Sequence, residues 1–230
     1  NSSFPYTVGL KDRRNIYAYL DGIYNTVVLN DIVARKHVQD PSMLKSVLRF
    51  LFDNIGNLCT LKKVADTMTS SGRKISPRTV ENYLEGVTDS LLMYRVSRYD
   101  IKGKEYLQVQ DKYYLADVGL RYYLLGTRNV DQGHILENVV YLELLRRGYR
   151  VYVGKSGSAE VDFVAQDYDG NLEYYQVSWT VRDEATLQRE LRPLDTISDH
   201  NPKYLLTMDN DPPASYNGIR QKFVLDWLLG

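Results

Sequence analysis

The chain has 230 residues, a quarter of them charged, and no apolar run near the roughly 20 residues that cross a bilayer, so composition points to one or two globular modules away from membrane. The lone Cys59 excludes an internal disulfide and a zinc pattern, and the start Asn1-Ser2-Ser3-Phe4 lacks a secretory signal, which together suggest a cytoplasmic protein. Formal net charge is zero but uneven: residues 1–130 hold 19 Lys/Arg against 13 Asp/Glu, residues 131–230 hold 10 against 16, as if two modules served different partners.

Residues 11–36 read as helical, because Ile16, Tyr19, Leu20, Ile23, Tyr24, Val27 and Val28 recur at three- and four-residue steps. Pro41 opens a second helix with Leu44, Val47, Leu48, Leu51 and Phe52 inward. Thr60 is the N-cap of a short helix carrying Leu61, Val64, Ala65 and Met68, and Ser76-Pro77 starts a longer one. Alternation over Tyr94–Tyr99 and Tyr106–Val109, around the turn Lys102-Gly103-Lys104, predicts a β-hairpin, with Tyr113–Leu115 as an additional strand. A short helix over Asp117–Leu125 and a linker over 126–133 follow.

Three helices and a hairpin are the order of a winged helix, whose third helix can enter a major groove. Arg73, Lys74, Arg78 and Asn82 at the start of the Ser76 helix, with Lys102 and Lys104 at the wing tip, are the candidate nucleic-acid contacts. Winged helices also serve as protein-binding modules, and Glu81, Glu85 and Asp89 dilute the charge.

Beyond the linker, a helix runs from Gln132 to Arg147 and stops at Gly148. Strands are expected over Arg150–Val153, Glu160–Ala165 and Leu172–Trp179, then a helix over Asp183–Leu194 and a strand over Lys203–Met208. Ile219–Leu229 closes the domain in a segment of undefined type. The fold class is α/β within an α+β whole: residues 1–40 a helical segment, 41–130 the winged helix, 131–230 the α/β domain.

A hairpin between the second and third of these strands brings Asp162 towards Gln176, with Glu137 on the preceding helix. Two carboxylates with water and substrate phosphate suit magnesium, so Glu137 and Asp162 are the candidate metal ligands. Gly154-Lys155-Ser156 imitates the end of a P-loop, but the pattern needs glycine at 149, where Tyr149 stands. Trp179 and Trp227 read as core anchors, one tyrosine of each pair Tyr113-Tyr114, Tyr122-Tyr123 and Tyr174-Tyr175 as core, and His134 as structural or capping ahead of a place beside the site.

The runs Gly157-Ser158-Ala159-Glu160-Val161-Asp162-Phe163-Val164 and Tyr174-Tyr175-Gln176-Val177-Ser178 resemble the paired motifs of the PD-(D/E)XK nuclease superfamily. That resemblance implies a restriction-endonuclease-like fold and a site of Glu137, Asp162 and Gln176, with Ser178 where the superfamily carries lysine. Serine removes the fixed charge that activates water. More widely, Tyr19–Val27, Asp31–Arg35, Tyr114–Arg121 and Gly133–Val140 resemble the region after the ATPase core in a family of prokaryotic AAA+ proteins. The implied protein is a non-catalytic, nucleic-acid- or partner-binding C-terminal region, ATP being bound only by an upstream module. A metal-dependent DNA nuclease and a stand-alone winged-helix regulator are the alternatives. DNA, the upstream ATPase module and a second copy of the chain are the partners this reading allows.

Overall fold

The computed structural model describes residues 2–127 and 131–230, so residues 128–130 of the expected linker lie outside it. The protein is a mixture of helices and one mixed sheet, the α+β class expected. It divides into two compact units, the first Asn1–Arg95 with Lys112–Val130, the second Val96–Asp111 with Asp131–Gly230.

In the first unit, α1 (Pro5–Val8) precedes α2 (Arg13–Tyr24), which continues as a π-helical stretch (Asn25–Ile32) and α3 (Val33–Arg35). Helices α4 (Pro41–Asp53), α5 (Leu61–Ser70) and α6 (Pro77–Asp89) start where their capping residues stand. Asp40 accepts from Met43 N–H, Thr60 from Lys63 N–H and Ser76 from Thr79 N–H, each satisfying a donor that the first helical turn leaves open. Their apolar stripes meet in a core of Leu44, Leu48, Phe52, Val64, Val80 and Val87, all fully buried. Gly86 lets α6 approach residues 32–36, since a Cβ there would sit 2.8 Å from Ile32 Cγ2. Helix α7 (Val118–Leu125) is capped by Asp117.

The hairpin of β1 (Met93–Asp100) and β2 (Glu105–Leu115) crosses the boundary between the units. Tyr113–Leu115, expected as a strand of its own, is the end of β2. The outer part of β1 pairs in parallel with β3 (Arg150–Ser156), Arg98 opposite Val153 and Asp100 opposite Lys155. The expected wing tip, Lys102 and Lys104, therefore belongs with the C-terminal unit and not with α4–α6. The reason is the open edge of β1: its backbone groups find hydrogen-bond partners on β3, and Ile101 N–H donates to Lys155 C=O at 2.9 Å.

The second unit continues with α8 (Gln132–Arg146), β3, β4 (Ala159–Gln166), β5 (Leu172–Ser178), α9 (Glu184–Asp195), β6 (Lys203–Thr207), β7 (Ala214–Tyr216), β8 (Ile219–Phe223) and α10 (Val224–Leu229). The sheet order is β2-β1-β3-β4-β5-β6-β8-β7. β3, β4 and β5 are antiparallel neighbours, and β5, β6 and β8 are parallel. Leu187, Leu191 and Leu194 of α9 cover Val164 and Tyr174 on one face. Phe163 and Tyr175, one residue along and so on the other face, meet Tyr141 of α8 and Trp227 of α10. Both Tyr174 and Tyr175 are buried, as are both Tyr113 and Tyr114, against the expectation of one per pair; a strand covered on both faces buries both parities. The closing segment that the sequence left undefined is strand then helix. Among the described residues no helix is long and apolar enough to cross a membrane.

Candidate functional site

A cleft of about 520 Å³ in the second unit is lined by Glu137, Asp162, Gln176 and Ser178, all four residues singled out from the sequence. Helix α8 contributes Gly133, His134 and Glu137, strand β5 Gln176, Val177 and Ser178, and helix α9 Thr186, Arg189 and Glu190. Each helix opens on the cleft through its first turns, with an Asp as N-cap: Asp131 accepts from His134 N–H, Asp183 from Thr186 N–H. The Thr186 N–H, and then its hydroxyl, hold the Asp183 carboxyl below the ordinary carboxylate range.

Strand β4 is irregular where the motif acid lies. Tyr152 pairs with Val164 but Gly154 with Val161, so β4 takes three steps against two on β3 and the bulge falls on Asp162–Phe163. A bulge re-aims a side chain out of strict alternation. One Asp162 carboxylate oxygen accepts from Val177 N–H at 2.9 Å, and Gln176 Oε1 accepts from Asp162 N–H at 3.3 Å. Asp162 and Gln176 thus sit on neighbouring strands and face one cleft, as expected. Gly154 packs under the bulge, where a Cβ would stand 2.8 Å from Val161 Cβ. That packing explains the glycine of the apparent Gly-Lys-Ser motif. Lys155, in turn, lies 3.5 Å from Asp100, a strand pair and not a phosphate cradle.

Glu190 and Arg189 are among the lining residues missed from the sequence. Gln176 Nε2 donates to Glu190 at 2.9 Å, and Arg189 pairs with the other oxygen of Glu190 at 2.8 Å. A buried glutamine amide on a strand needs a partner for its N–H groups, which was the available signal; which helix supplied it was not. Ser178 Oγ donates to Thr180 C=O at 3.1 Å, closing its own loop. That loop is held from below by buried Asp209, which accepts from Thr180 Oγ1 and Val181 N–H. Trp179, expected in the core, is 40% exposed at the rim of the cleft, because β5 ends one residue earlier and the loop lifts it out.

The lining carries five carboxylates, from Asp131, Glu137, Asp162, Asp183 and Glu190, against the one guanidinium of Arg189, with His134 Nδ1 held 3.0 Å from Asp131. The oxygen donors have the right chemistry for a hard cation. Even so, no group of three His, Cys, Asp or Glu side chains placed to hold a metal occurs among the described residues. Glu137 and Asp162 fall short of a protein cage, and water and substrate would have to complete any magnesium shell there.

The expected nucleic-acid contacts do not form one set. The Arg73 guanidinium clamps the start of α4, donating to Ser46 Oγ at 2.6 Å, Ser42 Oγ at 3.0 Å and Ser42 C=O at 3.1 Å. Asn82 is half-buried, its amide 3.4 Å from Lys36 C=O. Lys74 and Arg78 are exposed, and Arg78 lines a groove of about 640 Å³ with His37, Gln39, Thr79, Glu81 and Glu85. Lys102 and Lys104, also exposed, lie in the other unit.

A helical unit and a mixed-sheet unit with an acidic cleft define an α+β protein. The chain belongs to the family of a domain of unknown function, DUF8612, whose model matches residues 2–131. It is 40% identical over 210 residues to an uncharacterized protein of Haemophilus influenzae, covering 91% of this chain and 52% of that protein. It is 30% identical over 178 residues to an uncharacterized protein of Methanocaldococcus jannaschii, covering 76% of this chain and 38% of the relative. The chain therefore spans about half, or less, of the length of these relatives. No solved structure matches it significantly.

Proposed function

We propose that the chain is a non-catalytic, nucleic-acid- or partner-binding region of an AAA+-type ATPase, whose α/β unit keeps the cleft of a PD-(D/E)XK nuclease without its chemistry. The observation that carries this reading is the fate of position 178. Where a fixed positive charge would orient and activate water, Ser178 presents a neutral hydroxyl turned to Thr180. The guanidinium in the cleft, Arg189, is neutralised by Glu190. The four remaining carboxylates then repel a phosphate with little to offset them.

The nuclease alternative is favoured by one observation, that Glu137, Asp162 and Gln176 share the cleft. Incubating the protein with linear and supercoiled DNA, with magnesium or manganese, separates the two readings. We expect no cleavage, since loss of one charge-stabilising group costs on the order of 10²–10³ in rate. Metal-dependent cleavage that disappears in Asp162→Ala would replace this reading with the nuclease. Activity gained by Ser178→Lys would show that the remaining geometry is competent.

A further inference from the structure

We propose that Tyr99, Tyr106 and Tyr152, with Lys102 and Lys104, form a platform for single-stranded nucleic acid at the β2 edge of the second unit's sheet. The inference rests on the nucleic-acid part of the reading above but uses neither the cleft nor α6. The three tyrosines come from three adjacent strands, β1, β2 and β3. Their ring centroids lie 5.4 Å apart for Tyr99–Tyr106, 6.0 Å for Tyr99–Tyr152 and 5.1 Å for Tyr106–Tyr152. Tyr99 and Tyr152 pack against the core beneath α9, which accounts for those two rings. It does not account for Tyr106, which is 57% exposed although it is backed by both. A ring held from behind and open in front is a flat π surface already ordered before a base arrives, and stacking is tolerant of sequence because every base has a π face.

The charge around the rings suits a phosphate backbone. Lys102 and Lys104 are exposed in the turn that joins β1 to β2, and Arg150, exposed at the start of β3, acts electrostatically on Tyr152. The nearby carboxylates are engaged: Asp100 accepts from Lys102 N–H and Gly103 N–H and faces Lys155, and Asp199 accepts from the Tyr174 hydroxyl. Glu105 remains as an opposing charge at the start of β2. Burial, and then a hydrogen bond with Tyr106, push the Tyr152 hydroxyl up to about 12, so the phenol adds no negative charge at neutral pH.

The test is fluorescence anisotropy with a labelled oligothymidine and an oligouridine of about 15 nucleotides, within the span that one such surface covers, over a series of salt concentrations. We expect binding at low salt, weakened about tenfold or more by Tyr106→Ala and preserved by Tyr106→Phe, which keeps the ring. The double variant Lys102→Ala/Lys104→Ala should flatten the dependence on salt. Thermal unfolding of each variant guards against a folding defect, and Tyr106 is exposed enough for the midpoint to stay near wild type. Absence of binding to either oligonucleotide, binding unchanged in Tyr106→Ala, or equal loss in Tyr106→Phe and Tyr106→Ala would each overturn the proposal. Parallel gel shifts with duplex DNA report on α6 separately, so failure there leaves the platform standing, and the reverse.

Discussion

A single carboxylate, Asp117, organises the start of the first unit. It is 1% exposed, and one oxygen caps α7 by accepting from Gly119 N–H at 2.7 Å. The other accepts from Ser2 Oγ, Ser3 Oγ, Ser3 N–H and Phe4 N–H. Gly119 is required beside it, since a Cβ there would approach Ser2 Cα to 2.8 Å. A charged acceptor with this many donors is worth more than an ordinary cap, and its removal leaves the buried Gly119 N–H unsatisfied. Asp117→Ala should destabilise the protein by roughly 2–4 kcal/mol, read from the urea midpoint. Amide exchange at Ser3 and Phe4 should accelerate in the same variant; unchanged protection there would refute the clamp. The sequence offered Asp117 as a helix start, and the local signal was sufficient for that. Nothing local indicated that residues more than a hundred positions away would share the same carboxylate.

Among the elements, α6 has a start that was legible in full. Ser76 caps it, Pro77 occupies its first turn, and Val80, Tyr83, Leu84 and Val87 are buried. Its exposed front is smaller than the sequence implied, because Arg73 is tied to α4 and Asn82 faces Lys36. If α6 contacts duplex DNA, Lys74 and Arg78 carry that contact. Lys74→Ala/Arg78→Ala should weaken binding of a duplex at low salt and lower the slope of log K against log salt by about 2, one per lost phosphate contact. Arg73→Ala should act mainly through stability. A double variant that binds duplex like wild type would remove α6 as a reading helix. At the other end of the chain, β7 and β8 went unrecognised, although Asn217-Gly218 is a hairpin-turn pair. The pair takes φ 48° and 86°, as a two-residue hairpin turn demands. Strands of three and five residues give too few alternations to recognise, and only their pairing, from Ala214 with Gln221 to Tyr216 with Ile219, makes them a ladder.

For the whole molecule, the relevant fact is length: the chain covers 52% of its Haemophilus relative and 38% of its Methanocaldococcus relative. The proposed function places a nucleotide-binding module in the part these relatives carry in addition. The full-length Haemophilus relative should therefore bind ATP with magnesium in calorimetric titration, and the present chain alone should not. A full-length relative that fails to bind nucleotide, or a chain that binds it unaided, would remove the ATPase from the reading. The Gly154-Lys155-Ser156 segment supports the second half of this expectation, since it is strand and not the loop at the head of a helix that cradles phosphates.

Taken alone, the sequence determined whatever depends on neighbours within a few residues. Helices announced by a cap, a proline and a stripe of apolar residues stand where they were expected, as do the alternating strands around Asp162 and Gln176. It also determined that Asp162 and Gln176 would meet, because a short hairpin fixes register and brings strands together, whereas Glu137 on α8 was placed with them by the resemblance. The tertiary structure alone decided which edge the β1–β2 hairpin would join, that Glu190 and Arg189 would complete the cleft, and that Trp179 would be lifted from the core. Each of these turns on a hydrogen-bond donor or an open strand edge that must find a partner, and several distant segments can satisfy that demand equally well until packing selects one.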